Sequence, residues 1–168
     1  MRVALAVAVP IAAALLQGSV VPFVAIAGAR PNLPLLVAAS WSVAAGAREG
    51  VWWAFVGATA ADLLSGGPLG ALALAALGPV AAVGMGEAAA GRSRAVVAGA
   101  LLVGVATAAA GVLYLAIVAA VGQPLAEPGF LVGAAVAGGV YNGVLAIATY
   151  PIARSMRRAT EKQASFGW

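Results

Sequence analysis

Three carboxylate or carboxamide side chains fall inside long apolar runs of this 168-residue sequence: Gln17, Asp62 and Asn142. Asp62 has the most reactive type. It sits in "FVGATAADLLSGGPLGALAL", residues 55 to 74, and a carboxylate at the centre of a bilayer costs about 2.5–3.5 kcal/mol. Ion or proton coupling would need a second carboxylate, or carbonyl and hydroxyl ligands converging on the first. Thr59 and Ser65 are close in sequence, but no other acid lies inside an apolar run. Intramembrane proteolysis would also need paired carboxylates, and one is missing. The structural alternative is that Asp62 fixes a tight corner before the helix that follows "SGGP". Gln17 and Asn142 can bond between helices, or hold a ligand if they face one cavity.

Other chemistry is excluded by type. The chain has no cysteine and no histidine, which removes thiolate nucleophiles, disulfides, the usual zinc and haem ligands, and Ser–His pairs. No phosphate-binding glycine loop, H-E-x-x-H or G-x-S-x-G occurs. No enzyme activity, metal or cofactor is expected.

The elements that must position these groups are read from composition. The chain is 64% hydrophobic and 8% charged, with a mean hydropathy of +1.05, against about 25% charge in soluble domains. It is an integral membrane protein. Apolar blocks run over about 3–26, 33–47, 51–64, 69–86, 95–121 and 130–152. They are continuously apolar rather than alternating, so helices are expected and a barrel is not. The fold class is an all-α, six-helix transmembrane domain over 1–168, with a basic tail at 153–168. No connecting segment is long enough for an extramembrane domain. The first block is read as a retained span rather than a cleaved secretory signal. Blocks two and three are short for a ~30 Å hydrocarbon core, so a re-entrant pair within 33–86 is an alternative.

Loop charges set the orientation. With the N-terminus inside, Arg2, Arg48, Arg92, Arg94, Arg154, Arg157, Arg158 and Lys162 face the cytoplasm, and only Arg30 of the nine basic residues falls outside. This is a positive-inside split with both termini cytoplasmic. The net charge of +4 is therefore assigned to anionic lipid headgroups and not to nucleic acid. Asp62 then lies near the outer face, where Arg30 or the free amides of the helix after Pro68 could receive it. The tail is expected to be a short, fraying helix extension held at the inner leaflet. Tyr141, Tyr150, Trp41, Trp52 and Trp53 read as interface anchors or packing. Glu49, Glu87 and Glu127 read as surface charges. "GVYNG", Gly139 to Gly143, is a G-x-x-x-G, although a chain with 22 glycines explains it equally well.

The order of these motifs is more informative than any one of them. "LLQGSVVPFVAIAGARPNLPLLV" places Gln17 in span one and Arg30-Pro31-Asn32-Leu33 at the opening of span two. "GAREGVWWAFVGATAADLLSGGPLGALAL" follows, and span six carries Asn142 ahead of a proline and the basic tail. The sequence resembles the rod shape-determining protein MreD family over most of its length, most specifically from Gly50 to Gly70. Where that family carries Pro-Asp, this chain has Pro31-Asn32, one charge fewer. The resemblance implies a non-enzymatic scaffold of the bacterial cell-elongation complex in the cytoplasmic membrane. Its implied partner is MreC, and indirectly RodA, a class B penicillin-binding protein and MreB. It also implies a fold similar to the six-helix substrate-binding subunit of energy-coupling-factor transporters, and such a vitamin-binding subunit is the alternative function. Gln17, Arg30, Asn32, Asp62, Gly70, Gly139, Asn142 and Gly143 are the candidate structural or partner-contact residues, with a small-residue groove for the MreC helix.

Overall fold

A computed structural model describes residues 2–26, 28–89 and 95–165. Arg92 and Arg94 lie outside the described residues, as do the side chains of Arg2, Glu87 and Lys162. Six α-helices follow in order: α1 (Arg2–Ser19), α2 (Leu33–Ala45), α3 (Ala47–Ser65), α4 (Ala71–Ala89), α5 (Val96–Ala120) and α6 (Pro128–Ser165). The exterior is apolar, with Leu63, Leu74, Leu101, Val105, Val140 and Ile147 all exposed. An apolar exterior of this extent belongs in lipid rather than water.

The helix ends depart from the apolar blocks for identifiable reasons. Block one runs to residue 26 in hydropathy, but α1 stops at Ser19 and a 3-10 turn covers Val21–Phe23. Pro22 has no N–H to continue the ladder and disfavours helical geometry at the residue before it. Block three starts late because Arg48 and Glu49 interrupt the apolar pattern. The helix includes both, and the turn before it is the single residue Gly46, at φ 107°. Only a glycine adopts that conformation freely. α3 is therefore 19 residues, about 28 Å long. Within the described residues the tail continues α6 as one helix to Ser165.

α2 is the hub. Its 13 residues span only about 20 Å, and it is buried on every face from Pro34 to Ala44 apart from the half-buried Val37. It packs on each of the other five helices, which surround it in the order α1, α3, α4, α5, α6. Two helices, α5 and the Pro128–Thr160 stretch of α6, are each long and apolar enough to cross a membrane. The apolar stretches Val3–Ser19, Leu33–Ala45 and Ala71–Gly86 are shorter.

Small residues let α2 sit this deep. A Cβ added at Gly50 of α3 would lie 2.2 Å from Ser42 Cβ, and one at Gly84 of α4 would lie 2.3 Å from Ser42 Oγ. Ser42 is wedged between the two glycines and donates to the Val80 carbonyl at 2.7 Å. Ser40 bonds Thr149 of α6 at 3.1 Å. Trp41 stacks on Trp53 of α3 with centroids 4.4 Å apart, and Tyr150 packs its ring where Gly99 of α5 leaves room. Gly50→Ala should therefore lower stability by about 1–3 kcal/mol through overpacking, read as a lower melting temperature in detergent. Adding Ser42→Gly should recover part of that loss, because it removes the Cβ that collides.

Candidate functional site

Every helix leaves its first amides without an intrahelical acceptor. At the start of α2 these amides are buried, and four of the candidate residues converge there. Gln17, near the end of α1, accepts from Leu33 N–H at 2.8 Å and donates Nε2–H to the Pro31 carbonyl at 3.1 Å. Asn142 of α6 mirrors it. Its Oδ1 accepts from Asn32 N–H at 3.1 Å, and its Nδ2 donates to the Asn32 carbonyl at 2.8 Å and to Thr107 Oγ1 at 3.2 Å. Thr107 passes its own proton to the Val103 carbonyl at 2.9 Å. Asn32 caps its own helix by accepting from Leu35 N–H at 3.2 Å. Position 34 is a proline and has no amide to satisfy. With Leu36 N–H on the Asn32 carbonyl at 2.8 Å, no donor at this end is orphaned.

Two carboxamides on different helices thus grip one backbone segment from opposite sides. Asn142 is fully buried at 0% exposure, and both its amide protons and its oxygen are used. The chemistry left to Gln17 and Asn142 is structural, and a shared ligand site for them is not what the geometry provides. Arg30 contributes its backbone: a Cβ added at Gly138 would meet the Arg30 carbonyl at 2.9 Å. Gly138 therefore lets the segment lie directly on α6, one turn before Asn142. Tyr141 donates to the Val24 carbonyl at 3.0 Å, tying the preceding linker to the same helix.

Asp62 solves the same problem for α4. It is 2% exposed and accepts from Leu72 N–H at 3.3 and 3.1 Å on its two oxygens, and from Ala73 N–H at 3.3 Å. Ala71 N–H bonds the Pro68 carbonyl at 3.1 Å, and Leu74 N–H returns to Gly70 at 2.9 Å. Gly70, at φ 84°, makes the left-handed step that aims α4 at the carboxylate. Of the two partners open to Asp62, the structure supplies the amides and the positive end of the helix dipole. Arg30 is exposed and forms no ion pair with it among the described residues. Ser65 donates to the Asp62 backbone carbonyl at 3.2 Å, and the Thr59 hydroxyl oxygen is buried without a partner. Neither reaches the carboxylate, so no ligand set for an ion forms around it.

Gly139 and Gly143 lie apart from both clusters, at the α5–α6 seam. A Cβ at Gly139 would fall 2.6 Å from Ala108 Cβ, and one at Gly104 would fall 3.0 Å from the Gly139 carbonyl. The G-x-x-x-G therefore binds α6 to α5 within this chain. Just outside the crossing, an apolar furrow of about 370 Å³ runs along the seam, floored by Gly104, Ala108, Gly139 and Gly143.

The family model described as rod shape-determining protein MreD matches residues 1–157. The chain belongs to the MreD family. No curated protein and no solved structure matches it. This MreD-family chain is a membrane protein with a role in rod-shape determination, and the match covers every residue of the two clusters and the furrow. Sequence reasoning missed Thr107, Ser40, Thr149 and Ser42, because hydroxyls in small-residue helices look neutral until a partner is placed. It also missed the roles of Arg157 and Glu49. Arg157 Nη1 donates to the Ala44 carbonyl at the far end of α2, and Glu49 accepts from Trp41 Nε1–H at 3.0 Å.

Two substitutions separate the clusters. Asn142→Leu strands the Asn32 N–H, removes one of the two donors to the Asn32 carbonyl and should cost about 2–3 kcal/mol of stability. Asp62→Asn keeps one acceptor oxygen and loses the charge on the helix dipole, for about 1–2 kcal/mol. Arg30→Gln should stay within about 0.5 kcal/mol, as for an exposed group outside any network. Melting in detergent reads all three, and an Arg30→Gln loss as large as that of Asp62→Asn would restore the ion-pair account.

Proposed function

We propose that this MreD-family chain is a non-enzymatic, six-span scaffold of the cell-elongation complex in the bacterial cytoplasmic membrane, with both termini inside. It binds the single membrane helix of MreC and, through it, helps to control peptidoglycan synthesis by RodA and a class B penicillin-binding protein, with MreB on the cytoplasmic side. The observation that carries this reading is the α5–α6 furrow. Its floor is glycine and alanine, and its rims are outward-facing Val97, Leu101, Val105, Val140, Val144 and Ile147. A helix approaches closely over such a floor and gains dispersion contacts from branched rims. Along α6 the furrow extends from Val136 to Ile147, about three helical turns, which suits one spanning helix. Gln17, Asn142 and Asp62 fit a scaffold for a second reason: they are engaged in holding α2 and α4 and are not aimed at a substrate. For orientation, Arg48 and Arg157 share one end of the bundle, and Arg30 lies at the opposite end of α2.

Gly139→Leu would push α5 off α6 and so tests internal packing. Leu101→Trp and Val140→Trp change only the rims. Each should reduce MreC recovered with the tagged chain by about tenfold, with an unchanged melting temperature. Normal recovery from both would remove the furrow as the MreC face.

A further inference from the structure

The ring of helices around α2 is not closed. α6 and α1 make no extended contact among the described residues, and a half-open cavity of about 610 Å³ occupies the gap at the basic end of the bundle. Its lining joins the start of α1, the end of α2, the first turns of α3 and the basic part of α6. None of these residues belongs to the two amide clusters or to the furrow.

The lining has two chemistries in a fixed order. Arg48 and Arg157 supply two guanidinium groups. Arg157 is anchored at the rim by its bond to the Ala44 carbonyl, and Arg48 is exposed in the first turn of α3. The single acid in the lining, Glu49, is engaged by the Trp41 indole N–H, so the lining carries one net positive charge, two arginines against one glutamate. Deeper in, the wall is aromatic and aliphatic. Trp41 and Trp53 form a buried stack, Leu5 and Ala6 of α1 face them, and Trp52 is 50% exposed toward the outside. Trp52 lies 6.4 Å from the ring of Phe55, itself 49% exposed, and this pair extends the aromatic surface along α3. Tryptophan beside arginine at one end of a membrane bundle marks the headgroup level. Guanidinium forks bind phosphate oxygens, and arginine is the side chain best suited to do so. The volume falls in the range of about 300–1,000 Å³ typical of small-molecule sites, enough for a glycerophosphate headgroup and the first part of a chain.

We propose that this cavity holds one phospholipid. Its phosphate diester meets Arg48 and Arg157, and its upper acyl segment lies between Trp52 and the α1 residues Leu5 and Ala6. The lipid completes the ring by filling the space between α1 and α6. A free phosphate shares the headgroup chemistry, and the acyl contact distinguishes the two sources.

The test uses the full chain in maltoside detergent with Trp168→Phe, which leaves three tryptophans, all lining the cavity. Phosphatidylglycerol with brominated acyl chains is titrated while tryptophan fluorescence is read. The expected result is saturable quenching whose midpoint rises about tenfold in Arg48→Gln, and which Ala6→Phe abolishes by filling the apolar part. Both variants should melt with the parent chain. Quenching with the same midpoint in Arg48→Gln, or persisting in Ala6→Phe, would overturn the site. An uncharged brominated maltoside quenching with an equal midpoint would overturn the phosphate contact. Inorganic phosphate alone raising the melting temperature as far as the lipid would assign the site to a free anion and overturn the lipid.

Discussion

A short helix buried at the centre of a membrane bundle ends inside protein, where water does not reach its free amides and carbonyls. Each such group left unpaired costs about 1–3 kcal/mol, and more in hydrocarbon. α2 is that helix here, about 20 Å long and covered on every side. Its N-terminal amides are answered by Gln17, Asn142 and its own Asn32, and its C-terminal end by Gly46 N–H on the Ser42 carbonyl and Arg157 on Ala44. Beyond the helix's own Asn32 and Gly46, these groups come from α1 and α6, so satisfying one helix fixes the position of its neighbours. Asp62 repeats the device at the α3–α4 corner.

The small residues follow from the same constraint. Ser42 can donate to Val80 only because Gly50 and Gly84 lack side chains, and the 30–32 segment reaches Asn142 only because Gly138 leaves room for the Arg30 carbonyl. Polar registration at the centre leaves the outward faces of the helices to apolar side chains such as Leu74, Leu101 and Val140. A furrow on that surface and a cavity in the open side of the ring are places among the described residues where another molecule fits. Both sit on α6, the longest helix, which also carries Asn142 and the α2-capping Arg157. An event at either surface therefore bears on the element that holds α2.

Much of this was legible in the residues. Asp62 before "SGGP" was readable as a cap because a lone carboxylate near a helix start has one inexpensive solution. Gln17 and Asn142 stood out because amides are rare in such runs. The Arg30 alternative arose because sequence gives depth but not azimuth: Arg30 faces out, while Asp62 faces the core. The start of α3 was misplaced because hydropathy treats Arg48 and Glu49 as a loop, whereas Gly46 alone makes the turn. The G-x-x-x-G gave the close crossing but not its partner, since α5 and a foreign helix present the same kind of surface. The α1–α6 cavity was invisible, because its lining comes from three stretches, 3–6, 41–53 and 157–160, that only the fold brings together.

The measurement that bears most directly on the central role of α2 is amide hydrogen exchange of the intact chain in detergent, resolved by segment. Exchange follows local opening, and the most deeply held element opens last. The account predicts that residues 33–44 are the slowest in the protein, slower than the longer helices α5 and α6, despite the shortness of α2. Exchange of 33–44 at the rate of α1 or the end of α6 would contradict it.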